Sequence, residues 1–436
     1  MDLLIAFIIF MVSMIGALIL DVSMIIALLI GLIAFSIVTL KRGWKFKNLV
    51  KMCLTGAKDS IVVTEVMCLI GLITAIWRAS GTITIFVYYG MKIITPSLFI
   101  LITFLLSVLL SYALGTSFGV AGTVGVIFMT LARSGGVDPL LTAGAIMSGI
   151  YFGDRCSPCS SSAELVCSCT GTSIYPNVKA MLKTCVVPFI ASIVIYLFIS
   201  INNPISGVDE SVVAAFENEF NLSPLTIIPA LFILILPLLR VNIFITIGSS
   251  VVTGFLISIF VQGIDIIDLL KIMLVGYKST SELGAILNGG GLVSMIEIII
   301  ILTISSMYSG IFNETGMLDK LHDKISTLST KFGRYVVTLV ISIITPMIFC
   351  NQTISTLIVG NLMQKTYDDQ GATREELAID MENSVILTAC TVPWSIGCSV
   401  PLTFFGVGSK AMLYAFYMYL LPISYIFLKR FYYKEK

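Results

Sequence analysis

The chain has 436 residues, 57% hydrophobic and only 12% charged, with a mean hydropathy of +1.02 and a formal net charge of +1. That balance excludes a soluble globular domain, because too many apolar segments reach spanning length, and it offers no basic field to a nucleic acid. The expectation is an all-α polytopic membrane protein in a lipid bilayer.

About 20 apolar residues cross a bilayer, and counting such runs with their polar punctuation predicts about 12 to 14 spans. Residues 1–55 carry runs at 3–20 and 22–40. The first lacks a basic start and a small-residue cleavage site, and the second follows at once, so both read as retained spans. Residues 56–177 carry runs at 60–77 and 97–113 and two broken stretches, 115–132 and 139–170. Residues 178–284 read as connecting spans at 178–200, 224–240 and 242–261, and their loop from Asn202 to Asn221 holds Asp209, Glu210, Glu217 and Glu219 without Lys or Arg. Residues 285–436 carry 285–311, 335–349 and 409–428, with short or broken stretches at 351–365 and 379–405.

Basic residues in short loops orient such a chain. Lys41, Arg42, Lys45, Lys47, Lys51 and Lys58 form one cluster, Lys320, Lys324, Lys331 and Arg334 another, and Lys429, Arg430, Lys434 and Lys436 end the chain. All three are expected on the cytoplasmic side with both termini, and the acidic loop outside.

The ten cysteines lie mostly in apolar segments, which suits packing better than a disulfide framework. Cys156-x-x-Cys159 and Cys167-x-Cys169 have metal-like spacing, but no second CxxC completes a zinc site, and the single histidine, His322, is far away in the chain.

Sliding the chain against itself exposes a repeat at an offset of 235 residues: Gly56 falls on Gly291, Gly81 on Gly316, Gly125 on Gly360, Gly136 on Gly371, Pro158 on Pro393, Ser160 on Ser395 and Gly171 on Gly406. Seven spans separate equivalent points, and an odd number turns the second copy upside down. Inverted repeats with matching interruptions are the signature of a secondary transporter whose site lies at the repeat interface, near the midplane.

Two pairs of breaks coincide. Gly115-Thr116-Ser117 aligns with Cys350-Asn351-Gln352, followed by Thr353, and each offers side-chain oxygens beside a helix end. Asp154 through Glu164 aligns with Ala389 through Ser399, preceded by Glu382, Asn383 and Ser384. A carboxylate at membrane depth is costly and usually kept for binding or relay. Asp154 is therefore the leading candidate, with Ser157, Ser160, Ser161 and Ser162 as hard oxygen donors for a dehydrated Na⁺ and Glu164 as a second acid. Asp154 and Ser157 are the expected Na⁺ ligands. A carboxylate that accepts either Na⁺ or H⁺ couples the two by competition. The bland alternatives are that these hydroxyls only cap broken helices and that Arg155 neutralises Asp154 as a structural pair. Glu65 and Glu297, inside apolar runs, are secondary proton-site candidates. Trp394 and Ser395 lie in the second break, where Trp394 lines the cavity or fills the gap left by the Pro393 kink.

The run Gly153-Asp154-Arg155-Cys156-Ser157-Pro158-Cys159-Ser160, with Gly115-Thr116-Ser117-Phe118-Gly119, Glu382-Asn383-Ser384 and Val392-Pro393-Trp394, resembles the NhaC sodium/proton antiporter family. The resemblance implies a carrier of the bacterial cytoplasmic membrane that exchanges Na⁺ for H⁺. Relatives that move amino acids or small organic acids of the malate/lactate type supply the alternative. Two acids of the family pattern are neutral here, at Ser161 and Asn383, and the P-W-N asparagine is Ser395. Glu164, or a substrate carrying its own charge, is the expected compensation. No cofactor is expected beyond Na⁺ and H⁺ as coupling ions, the partner is a small ion or organic substrate, and a homodimer is left open. An enzyme is not expected: an intramembrane aspartyl protease needs Gly-x-Gly-Asp and a second acid, whereas Tyr151 precedes Asp154 by three and its repeat equivalent is Ala389. The lack of a repeated ring of charges argues against a channel.

Overall fold

The structure, a computed structural model, describes residues 2–20, 22–93, 96–204, 210–236, 239, 241–279, 283–316 and 322–432. Asp209, Lys320, Lys434 and Lys436 of the charged loops fall outside these. Among the described residues there are helices and turns but no strand, only one antiparallel bridge from Tyr277 to Gly289.

The hairpin α1 (Asp2–Ile19) and α2 (Met24–Lys41) leads through α3 (Phe46–Asp59) to α4 (Ile61–Ala79) and α5 (Thr82–Ile93). Next come α6 (Phe99–Leu114), α7 (Ser117–Val120), a π-helical turn at Ala121–Gly125, α8 (Val126–Ser134), α9 (Pro139–Cys156) and α10 (Ser161–Thr170). The middle of the chain forms α11 (Ile174–Asn202), α12 (Glu210–Glu219), α13 (Ile228–Ile235), α14 (Ile243–Phe260), α15 (Ile266–Val275) and α16 (Gly284–Leu287). The second half holds α17 (Ile296–Thr315), α18 (His322–Phe332), α19 (Arg334–Phe349), α20 (Gln352–Asp369), α21 (Arg374–Glu382), α22 (Val385–Thr388), α23 (Ile396–Phe405) and α24 (Phe416–Tyr432).

This is an all-α polytopic membrane protein. Its outer faces carry apolar side chains that only lipid accommodates, such as Phe260 at 80% and Phe198 at 70% exposure. By length and composition, five described stretches can cross a membrane: Asp2–Ile19, Met24–Lys41, Ser117–Ser134, Ile174–Asn202 and Leu292–Phe312. A sixth arises if Phe46–Lys58 and Val63–Ala79, bent by 43°, form one span. The count falls below 12 to 14 because several apolar runs fold as short helices, among them Phe99–Leu114, Arg334–Phe349 and Ile396–Phe405. A cap inside an apolar run is nearly invisible to a hydropathy count.

The 235-residue offset reappears in the helix boundaries. Shifted by it, α6 lands on α19 and α10 on α23, residue for residue. Gly115 ends α6 at φ 66° and Cys350 ends α19 at φ 56°, the one positive φ outside glycine among the described residues. That conformation costs an L-residue about 1–2 kcal/mol. Cys350 is held in it partly by Ile396, whose N–H donates to the Cys350 carbonyl at 2.8 Å. The halves differ where α9 runs unbroken to Cys156 while its counterpart splits into α21 and α22, with Asn383 and Ser384 in the break.

Glycines set the closest helix contacts. A Cβ on Gly153 would lie 2.1 Å from the Ser111 carbonyl carbon, and one on Gly149 2.4 Å from Ser107 Cβ, so Gly149-x-x-x-Gly153 lets α9 lie directly on α6. Gly56 and Gly310 do the same for α3 and α17. The N-terminal hairpin docks on α17 through an aromatic group in which Phe10 and Phe35 meet Tyr308 edge-on at 5.7 and 5.4 Å.

Lys429, counted among the basic residues expected on the cytoplasmic side, is 4% exposed. It pairs with Glu376 at 2.7 Å and with Asp380, and Arg334 joins Glu376 at 3.0 Å. Lys429 and Arg334 are thus consumed by a buried lattice, which removes them from any loop-charge count.

Candidate functional site

Asp154 sits in the last turn of α9, 4% exposed, at the meeting of three helix starts. Ser162, in the first turn of α10, donates its hydroxyl to Oδ2 at 3.1 Å, and Gln352, first residue of α20, donates Nε2 to the same oxygen at 3.1 Å. Ser117, first residue of α7, lies beside the carboxylate. Two of these helices belong to the first half and one to the second.

The local sequence explains the convergence. Thr116 caps α7 by accepting from Gly119 N at 3.3 Å, Ser160 caps α10 by accepting from Ser162 N at 3.1 Å, and Asn351 caps α20 by accepting from Thr353 N at 2.8 Å. Each cap stops the preceding chain and aims a helix N-terminus, with its partial positive charge, at the carboxylate. Ser160 also donates to the Asp154 carbonyl, tying the end of α9 to the start of α10. Hydrogen bonds to a charged group contribute about 1.5–3 kcal/mol each. The two from Ser162 and Gln352 offset part of the cost of holding a carboxylate at depth.

The chemistry available is that of a hard-oxygen site. Gln352 Oε1 lies 3.4 Å from Ser162 Oγ, so a modest turn of the amide presents two neutral oxygens beside the carboxylate, a donor set suited to Na⁺. Protonating Asp154 removes that charge.

The other sequence candidates divide. Ser157 accepts from Cys159 N at 3.1 Å and shapes the turn without a bond to the Asp154 side chain. Ser161, Glu164 and Thr353 are exposed and bond no member of the cluster. Glu65 is exposed in a wide cavity between α4 and α14, and Glu297, also exposed, accepts from Ser23 at 3.0 Å. Trp394 is 4% exposed and donates Nε1 to the Met347 carbonyl at 2.9 Å, which fits the gap-filling reading. Cys156 is buried and Cys159 exposed, so the CxxC pair faces two ways, and all ten cysteines are free thiols.

Arg155 corrects the expectation that it neutralises Asp154. Fully buried, it turns the other way and donates to Asn383 Oδ1, to Thr184 Oγ1 at 2.9 Å and to the Glu382 and Met181 carbonyls at 3.2 and 3.3 Å. Glu382 is equally buried, and among the described residues neither of its carboxylate oxygens has a hydrogen-bond partner. It feels both Arg155, which attracts its charge, and Asp154, which repels it. Ser384 donates to the Asp380 carbonyl at 2.6 Å, and Ser395 Oγ is buried without a partner among the described residues. Beside the Asp154 cluster there is therefore a second polar layer, Arg155 with Glu382 and Asn383. Sequence reading missed its geometry because adjacency of Asp154 and Arg155 suggests a pair, whereas consecutive residues on a helix point about 100° apart.

The model of the Na⁺/H⁺ antiporter family matches residues 3–163 and 149–431. The Na⁺/H⁺ antiporter NhaC of Alkalihalophilus pseudofirmus is 27% identical over 395 residues, covering 89% of this chain and 85% of that relative. The malate-2H⁺/Na⁺-lactate antiporter of Bacillus subtilis is 25% identical over 86% of this chain and 82% of its own, and the arginine/ornithine antiporter ArcD of Halobacterium salinarum 24% identical over 84% and 78%. With motif, fold and matched residues in agreement, the chain belongs to the Na⁺/H⁺ antiporter family.

Proposed function

We propose that this membrane protein is a secondary active antiporter exchanging Na⁺ for H⁺, with Asp154 as the shared site for both ions. The observation that carries the reading is the meeting of Asp154 with Ser162 and Gln352 across two halves of the chain. Na⁺ takes the carboxylate with the neighbouring oxygens when the proton is off, and the proton displaces it when on. Neither ion is held while the other is bound, which is what an obligatory exchange requires. In this reading the halves are inverted repeats, the membrane is a bacterial cytoplasmic membrane, and both termini face the cytoplasm. Glu382 serves as a second carboxylate whose charge Arg155 balances.

Purified protein in acid-loaded proteoliposomes tests this. Adding external Na⁺ is expected to alkalinise the lumen, and Asp154→Asn to abolish the signal while eluting as a monodisperse, folded protein. Wild-type rates in that variant would remove Asp154 from the mechanism.

A further inference from the structure

A second polar cavity, about 190 Å³, shares no residue with the Asp154 cluster. Arg78, in the last turn of α4, and Arg133, in the last turn of α8, both line it. Arg78 is 7% exposed and uses one N–H on its own helix, Nη1 to the Thr74 carbonyl at 2.6 Å. Arg133 donates Nη2 to the Phe405 and Gly406 carbonyls at 2.5 and 3.3 Å, where α23 ends. Among the described residues neither guanidinium has a carboxylate within ion-pair reach. The two charges also repel each other.

Glycines shape the wall. Gly289 and Gly290 line the cavity at φ 133° and 79°, a conformation that L side chains rarely adopt. A Cβ on Gly406 would come within 2.9 Å of Arg133 Nη2. Under the 235-residue shift Arg78 falls on Asn313 and Arg133 on Asp368. The arginine pair therefore belongs to one half alone and is no by-product of internal repetition.

Arg78 is buried and Arg133 half-buried; two like charges facing one cavity with no carboxylate counter-charge among the described residues are costly, and an anion that brings its own charge relieves that cost. A guanidinium fork matches the two oxygens of a carboxylate. Met295 and Phe404 supply apolar wall for a short hydrocarbon, and Ser294 a hydroxyl. The cavity has room for a small acid.

We propose that the cavity between Arg78 and Arg133 is a binding site for a small carboxylate anion, distinct from the Asp154 pocket. The site spans the halves, α4 and α8 on one side and the end of α23 on the other. A bound carboxylate bridges them.

The full-length protein in detergent, titrated calorimetrically with L-lactate and L-malate and with inorganic phosphate as comparator, tests this. Saturable binding of at least one acid is expected, weakened at least about tenfold in Arg78→Gln and in Arg133→Gln, as loss of a charge-assisted bond requires, and retained in Asp154→Asn. Arg133→Lys keeps the charge without the fork, so an intermediate loss supports the site even if a Gln variant misfolds. Absence of saturable binding by the wild type, or unchanged affinity in the arginine variants, overturns the proposal. So does equal competition by phosphate, which reassigns the ligand class. Loss of carboxylate binding in Asp154→Asn would move it to the other pocket. Because binding is read without any ion gradient, it is scored independently of whether Na⁺/H⁺ exchange is observed.

Discussion

Gln352 Nε2 of the second half reaches Asp154 Oδ2 of the first at 3.1 Å, and the same amide nitrogen donates to the Ile386 carbonyl at 2.9 Å. One side chain thus locks the carboxylate to both α20 and α22. Any movement between the halves must break or carry this bond.

Gln352→Ala is expected to raise the Na⁺ concentration for half-maximal proton flux by about tenfold, the equivalent of one charge-assisted hydrogen bond near 1.4 kcal/mol. Maximal flux should fall less. Na⁺ titrations of pH-dye fluorescence in proteoliposomes check both, and an unchanged Na⁺ dependence would count against Gln352 as a site residue.

Competition for one carboxylate has a pH signature. Lowering the pH on the Na⁺-loading side should raise the apparent Na⁺ KM while leaving the maximal rate at saturating Na⁺ nearly constant. A fall in maximal rate at fixed KM would instead indicate separate sites for the two ions.

Arg155→Leu should destabilise the fold by about 1–3 kcal/mol or more, because it takes a donor from the Asn383 and Thr184 oxygens and from the Glu382 and Met181 carbonyls. The readout is the melting temperature by size-exclusion thermostability. Arg155→Lys, which keeps a donor at that place, should lose less.

Lys429→Met is expected to be similarly severe, orphaning Asp380 and weakening the anchor on Glu376 that Arg334 shares. Adding Asp380→Asn should restore a measurable part of the melting temperature. Were Lys429 an exposed tail residue, the single change would stay within about 0.5 kcal/mol.

Gly153→Ala should abolish both stable folding and transport, because the added methyl would overlap the α6 backbone next to Asp154. Gly248→Ala, with nothing within 4 Å of its Cβ position, is expected to melt within a few degrees of wild type. Paired melts of the two variants separate close packing from a general effect of replacing glycine.

The membrane class, the family resemblance and the breaks at Gly115–Thr116, Cys350–Asn351 and Ser157–Ser160 were readable from the chain, whereas the break at Asn383–Ser384 was not. Composition sets the solvent, and caps such as Thr116 and Asn351 act locally, so their spacing of 235 residues survives any tertiary arrangement. Asp154, Ser162, Gln352 and Ser117 were named because hydroxyls, amides and acids stand out against apolar sequence. Which of them meet was decided only by the fold: Ser162 and not Ser161 faces Asp154, Glu164 stays exposed, and Arg155 serves Asn383. Those outcomes depend on helix rotation and on contacts nearly 200 or more residues apart, as for Gln352 and Arg155, which local physics does not specify. The burial of Lys429 and the pairing of Arg78 with Arg133 around one cavity follow from the same cause, since a charge at the end of an apolar run reads alike whether it meets water, a partner or another charge.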